Sequence, residues 1–74
     1  MSDSHTLLDK DKLREKRIRA RLTRPGLAKK AGLHPTHIYL LETGKRGTTP
    51  ETLGILADVF GCDITELMPD KAAA

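Results

Sequence analysis

The sequence predicts an all-α domain of five short helices, and three observations lead there. Apolar residues recur at spacings of three and four, as in Leu53, Leu56, Ala57 and Phe60, which is the period of one buried helix face. No segment alternates with period two over strand length, and β-branched residues never cluster. Helix-stopping glycines and the helix-opening pairs His34-Pro35 and Thr49-Pro50 punctuate the chain every ten residues or so, with the chemistry of caps and first turns.

Each element follows from local signals. Asp9 or Asp11 caps a first helix running to about Arg21, in which Leu13, Ile18 and Ala20 are few among many cations. Thr23 precedes a second helix carrying Leu27, Ala28 and Ala31 and stopping at Gly32. Proline pushes its predecessor out of the helical region, so a start one residue late is expected, with Arg24 as cap and Pro25 as first residue. Leu33-His34-Pro35 opens a third helix, which passes through Ile38 and Leu41 to Gly44. Lys45-Arg46-Gly47-Thr48 reads as a loop. Thr49-Pro50 starts a fourth helix that ends at Gly61. Asp63-Ile64-Thr65-Glu66 has capping-box spacing, for a fifth helix with Ile64 and Leu67 closed by Pro69. The expected organisation is a flexible arm over 1–8, a domain over 9–69 and a disordered tail over 70–74, whose Lys-Ala-Ala-Ala end has the look of a cloning remnant.

Composition narrows the function classes. At 74 residues and 38% hydrophobic content there is material for one thin core. The longest apolar run, Ile38 to Leu41, is far below the roughly 20 residues of a membrane span. The first ten residues hold no apolar stretch of signal-peptide length, and the single cysteine excludes an internal disulfide, so a cytoplasmic, nucleoid-associated protein is expected. Cys62 reads as a small core hydrophobe. No nucleophile–base arrangement, phosphate loop or metal cluster is evident, and no enzyme activity, cofactor or small-molecule ligand is expected. His34 and His37 are three apart but lack a third ligand, so no metal is expected either.

Charge is distributed unevenly. Residues 1–46 hold twelve of the thirteen Lys and Arg against five acids, a net of +7, whereas residues 47–74 hold Lys71 against five acids, a net of −4. That asymmetry points to one part facing a polyanion and an acidic part facing elsewhere.

Helices two and three, separated by a three-residue turn containing Gly32, have helix-turn-helix spacing. The pattern Leu22-Thr23-x3-Leu27-Ala28-x2-Ala31-Gly32-Leu33-x4-Ile38-x3-Glu42-x-Gly44-Lys45-Arg46, continued by Pro50-Glu51-Thr52-Leu53-x2-Leu56-Ala57-x2-Phe60-Gly61-x2-Ile64-x2-Leu67, resembles the Cro/C1-type (XRE) helix-turn-helix family over roughly residues 11–68. The resemblance implies a lambda-repressor-like domain. Ala31-Gly32-Leu33-His34 with Leu40-Leu41-Glu42-x-Gly44-Lys45-Arg46 is also similar to the controller proteins of restriction–modification systems, and phage or plasmid repressors share the pattern.

Helix three can be phased independently. With Ile38 at the centre of the buried arc, Leu41, Glu42 and His34 fall beside it, while Thr36, Leu40 and Thr43 fall opposite and Tyr39 at the flank. Leu40 thus faces away from the core. It is either a simple exposed or dimer-packed leucine, or it lies on the major-groove floor with Thr36, where methyl groups meet thymine C5-methyls and the hydroxyl meets a base edge. The resemblance implies base reading by Pro35, Thr36 and Leu40, with His37 and Tyr39 at the flanks. Pro35 has no donor, and none of these three makes the bidentate Arg–guanine or Gln–adenine contacts on which such readers often rely. Specificity then rests on methyl contacts, flanking residues and DNA deformability. His37 faces a phosphate or a base with a pH-dependent charge.

The resemblance further implies phosphate contacts from Lys45 and Arg46, and from Arg24 where members usually carry Gln. Thr43 is a further candidate phosphate contact. It implies a structural ion pair between Arg17 and Glu42, with which Glu42's buried phase agrees, and a dimer interface drawn from Ile55, Val59, Leu67 and Met68. The function expected is a sequence-specific double-stranded DNA-binding regulator, a repressor acting as a homodimer on a near-palindromic operator. The alternative is a protein-interaction module of the same fold, such as an antitoxin or coactivator, which does not require the charge on helix one and the 45–46 loop.

Overall fold

The computed structural model describes residues 7–70. Four α-helices, α1 (Lys10–Arg19), α2 (Arg24–Ala31), α3 (Pro35–Glu42) and α4 (Pro50–Phe60), are followed by one 3-10 turn, Ile64–Leu67, and no strand occurs among the described residues. The fold class is as the periodicity predicts; the fifth helix is reduced to that single 3-10 turn. At its start the Asp63 carboxylate accepts from Thr65 N at 3.0 Å, and the Glu66 carboxylate bonds chiefly the Lys16 ammonium at 2.6 Å.

Helix starts follow cap chemistry. Asp9 accepts from the backbone N–H groups of Asp11 and Lys12, Thr23 from Gly26, and Thr49 from Thr52. Thr23, not Arg24, is therefore the cap of α2. Pro25 is accommodated because the first turn needs no N–H from it, and Arg24 takes helical geometry despite the proline after it. His34 caps α3: its Nδ1 accepts from Thr36 N at 3.1 Å. The side chain is exposed, not on the buried arc, because a cap residue lies outside the helical phase.

All four helices end alike. A residue in the left-handed region precedes a bond from the next N–H to the carbonyl five residues back: Leu22 to Arg17, Leu33 to Ala28, Lys45 to Leu40 and Cys62 to Ala57. The left-handed residue is Gly32, Gly44 or Gly61 in three of them and Arg21 in the fourth, at φ +61°. Helix α1 consequently stops at Arg19, two residues before the expected end.

Among the described residues the largest fully buried side chains are Leu13, Leu27, Ile38, Leu41, Leu53, Leu56 and Leu67, drawn from every element. Each contributes about 1.5–3 kcal/mol of burial. Ile18 and Ile64 are exposed instead, so Leu13 is the one buried residue of α1. Leu67 is 0% exposed and cannot serve a dimer surface. Cys62 is half-buried against the core, and burial pushes its thiol up from the ordinary value.

The packed domain begins before residue 9. Leu8 is buried, Leu7 packs against the core, and Asp9 N donates to Leu67 O at 2.8 Å. Asp70, assigned to the tail, pairs with Lys12 at 2.5 Å. The rest of the expected arm and tail, 1–6 and 71–74, lies outside the described residues.

Candidate nucleic-acid interface

Gly32 sets the turn between α2 and α3. At φ +71° it lets α2 close on itself while Leu33 packs against the core and the chain re-enters as α3. Ile38, Leu41 and Glu42 tie α3 inward. The opposite side presents Pro35, Thr36 and Tyr39 to solvent with Leu40 and His37 half-buried beside them. A helix with its side chains is about 10–12 Å across, which the major groove, about 12 Å wide, admits.

Glu42 anchors this arrangement. Its side chain is 0% exposed and accepts from Arg17 Nε at 2.5 Å and Arg17 Nη2 at 3.1 Å, while Arg17 Nη1 donates to Leu22 O at 2.9 Å. The implied ion pair is present, and it has a third member. Arg24 Nε donates to the same carboxylate at 3.1 Å, and its guanidinium carbon lies 5.2 Å from the centroid of the Tyr39 ring. Eighteen residues separate Arg24 from Glu42, and no periodicity signals the pairing. Arg24 therefore bridges α2 to α3 as well as facing outward.

The loop after α3 is fixed by its backbone. Leu40 O accepts from Lys45 N at 3.0 Å and from Arg46 N at 3.3 Å, so both exposed cations project from a pinned turn. Thr43 Oγ donates back to Tyr39 O at 2.9 Å. A phosphate oxygen only accepts, and that hydroxyl proton is already engaged, so the geometry does not favour Thr43 as a phosphate contact. The pKa of His37 is lowered from its ordinary value, by burial first and by the Arg46 charge second, which favours the neutral imidazole.

The helix-one cations are disposed otherwise than the charge count implies. Lys12 bonds Met68 O at 2.9 Å and the Asp70 carboxylate, Lys16 the Glu66 carboxylate, and Arg19 pairs with Glu15 at 3.0 Å. Glu66 and Asp70 from the acidic segment thus lie against α1. The −4 segment does not simply turn away from the basic half. Among the described residues, Arg14, Arg21, Lys29, Lys30, Lys45 and Arg46 have no carboxylate within ion-pair distance, and the last four lie in α2 and in the loop after α3.

Of the expected dimer residues, Ile55 is 41% exposed, while Val59 and Met68 are half-buried against the core. Among the described residues no group of three His, Cys, Asp or Glu is placed to hold a metal ion, and no helix is long and apolar enough to cross a membrane.

Solved structures share this fold. The restriction–modification controller protein C.AhdI from Aeromonas hydrophila is similar at 27% identity and TM-score 0.77, over 80% of this chain and 86% of that one. A hypothetical transcription factor, NHTF, from Neisseria has TM-score 0.78 at 19% identity, over 96% and 82%, a likeness of fold alone. Hydroxypropylphosphonic acid epoxidase from S. wedmorenis is similar at 28% identity and TM-score 0.76, but this chain spans only 34% of that enzyme's length. No curated protein matches the sequence. A helix-turn-helix family model matches residues 13–67, a span that opens at the buried Leu13 of α1 and closes at the buried Leu67. With the turn, the packing of α3 and the Arg17–Glu42 pair all in place, the chain belongs to the helix-turn-helix family, of the Cro/C1 type.

Proposed function

We propose that this protein is a transcriptional repressor that binds a near-palindromic duplex operator as a homodimer, each subunit laying α3 in the major groove of one half-site. The observation that carries this is the layout of α3. An uncharged outward face, Thr36, Tyr39 and Leu40, stands beside a pinned cationic loop, Lys45-Arg46, on a helix clamped to α1 and α2 through Glu42. Phosphate contacts from the loop set register and carry no sequence information; Thr36 and Leu40 touch base edges and methyl groups. The likeness to a controller protein supports the same reading. Two subunits would place their reading helices about 34 Å apart, one turn of B-DNA. Exposed Ile55 and Ile64 and half-buried Val59 and Met68 are the apolar residues proposed for contact between copies. Selection of bound duplexes from a random pool, followed by titration at several salt concentrations, tests the reading. A symmetric selected site and a log–log salt slope of several units are expected. Equal, weak, salt-independent binding to every duplex refutes it and leaves protein interaction as the function.

A further inference from the structure

The outward-facing residue least well explained as a base reader is Tyr39, because its ring already has a partner. Arg24 is gripped twice by α3: at Nε by Glu42, and across its face by Tyr39, one turn earlier on the same helix. Arg17 by itself covers both oxygens of Glu42, so the Arg24 contact is not needed to neutralise that carboxylate. It does tether the guanidinium. The Nη1 and Nη2 groups of Arg24 have no acceptor among the described residues, and the side chain is 39% exposed. A fork held at Nε by a carboxylate and over an aromatic ring, with its Nη groups open at the start of α2, is prearranged for a two-oxygen anion.

From this we infer that Tyr39 is a positioning residue: it orients Arg24 to grip a DNA phosphate and does not itself read a base. The inference rests on the DNA-binding reading above and deepens it. A guanidinium held by ring and carboxylate loses little rotamer freedom on meeting the phosphate, which is what a fixed fork contributes over a free lysine. The contact also ties register to reading, since the residue that orients the fork stands on the helix that enters the groove. Tyr39 consequently acts on every sequence alike.

The test is titration of the full chain against the selected duplex and against a random duplex, and against selected duplexes in which single phosphates are replaced by neutral methylphosphonates. Arg24→Ala should weaken both duplexes about ten-fold and reduce the salt slope by about one. Tyr39→Ala should weaken both about three-fold, the scale of an exposed cation–π contact. Both variants should lose sensitivity at one shared phosphate position, and Tyr39→Ala should have no further effect in the Arg24→Ala background. Tyr39→Phe, which keeps the ring, should recover most of what Tyr39→Ala loses. Circular dichroism of each variant reports folding, which an exposed ring does not govern. A change in the selected sequence with Tyr39→Ala, an unaltered phosphate footprint, or no recovery with Tyr39→Phe overturns the inference while DNA binding stands. Failure of the unmodified protein to bind any duplex overturns both.

Discussion

Replacing Glu42 by Ala removes the one carboxylate that α1, α2 and α3 share, and the structure distinguishes what each arginine then suffers. Arg17 is 12% exposed and its Nη1 is held at Leu22 O, so its charge is stranded in the domain. Arg24, 39% exposed, swings into water at little cost. Stranding one buried charge costs about 3–5 kcal/mol. A chain of 74 residues has about 4–11 kcal/mol of stability in total, so Glu42→Ala leaves a marginal domain. In urea, at a slope near 1 kcal/mol per molar, the unfolding midpoint followed by circular dichroism should fall by about 3–5 M. Arg24→Ala, cutting the exposed arm of the same network, should cost under about 1 kcal/mol. The double replacement Arg17→Met with Glu42→Leu should be far more stable than the sum of the single changes predicts, because no charge is left behind. Additive single and double effects, or a Glu42→Ala midpoint within about 1 M of the unmodified chain, refute the stranded-charge account.

Four further outcomes follow from the same contacts. Arg21→Gly, at φ +61°, should raise stability by about 0.5–1 kcal/mol, and Gly32→Ala should lower it by about 1 kcal/mol though nothing lies within 4 Å of the added Cβ; thermal unfolding of both variants checks this, and equal melting temperatures refute it. Glu66, hydrogen-bonded to the Lys16 ammonium, sits below its ordinary 4.5, so its contribution is present above pH 4.5 and lost as pH falls through the depressed value, while that of Lys16, raised above 10.5, is lost only as pH rises through the raised one; Glu66→Gln should flatten the acid limb of midpoint against pH, and an unchanged limb refutes the pairing. Burial and Arg46 hold His37 below 6.5 in the free protein, whereas a nearby phosphate favours its charged form, so affinity for the selected duplex should rise from pH 7.5 to pH 6 in excess of a His37→Asn control; parallel profiles place His37 away from phosphate. Uracil in place of thymine at the Leu40 contact, which removes only a methyl group, should weaken binding severalfold in the unmodified protein and not in Leu40→Ala, and a loss retained in Leu40→Ala removes Leu40 from the groove floor.

The parts legible in the sequence were those governed by local chemistry. Thr49 before Pro50, Gly61 at a helix end and the apolar spacing of α4 each act within one or two turns, and all stand as expected. Glu42 was legible because a charged residue phased with Ile38 and Leu41 must be paired if buried. What escaped depends on tertiary approach. Nothing local distinguishes Leu8 from an arm residue, yet it is buried in the core; Leu67 and Ile64 look alike in sequence, and only the packing of the turn against α1 and α4 decides that one is buried and the other exposed. His34 lies one residue outside the helix, where helical phase no longer holds, and its imidazole accepts the bond an Asp or Ser would take. Arg21 carries no signal for a left-handed residue; its conformation is imposed by the Leu22 to Arg17 closure.

The disposition of charge separates how tightly this domain holds DNA from how well it chooses. Lys12, Lys16 and Arg19 are engaged with Asp70, Glu66 and Glu15, and Glu42 absorbs Arg17, so much of the basic character of α1 stabilises the fold and is muted at a distance. Of the cations left without carboxylates among the described residues, Arg14 and Arg21 lie on and just after α1, whereas Lys29, Lys30, Lys45 and Arg46 lie in α2 and in the loop after α3, and α3 itself contains no Lys or Arg. A reading helix studded with lysine would bind any duplex through its phosphates and blur the difference between sites. On the proposed reading the flanks would supply a field that acts on all sequences equally, and the uncharged Thr36 and Leu40 would act only where the base edges and thymine methyls match. Changing a flanking cation should therefore scale affinity for operator and random DNA by the same factor, whereas changing Thr36 or Leu40 should alter their ratio.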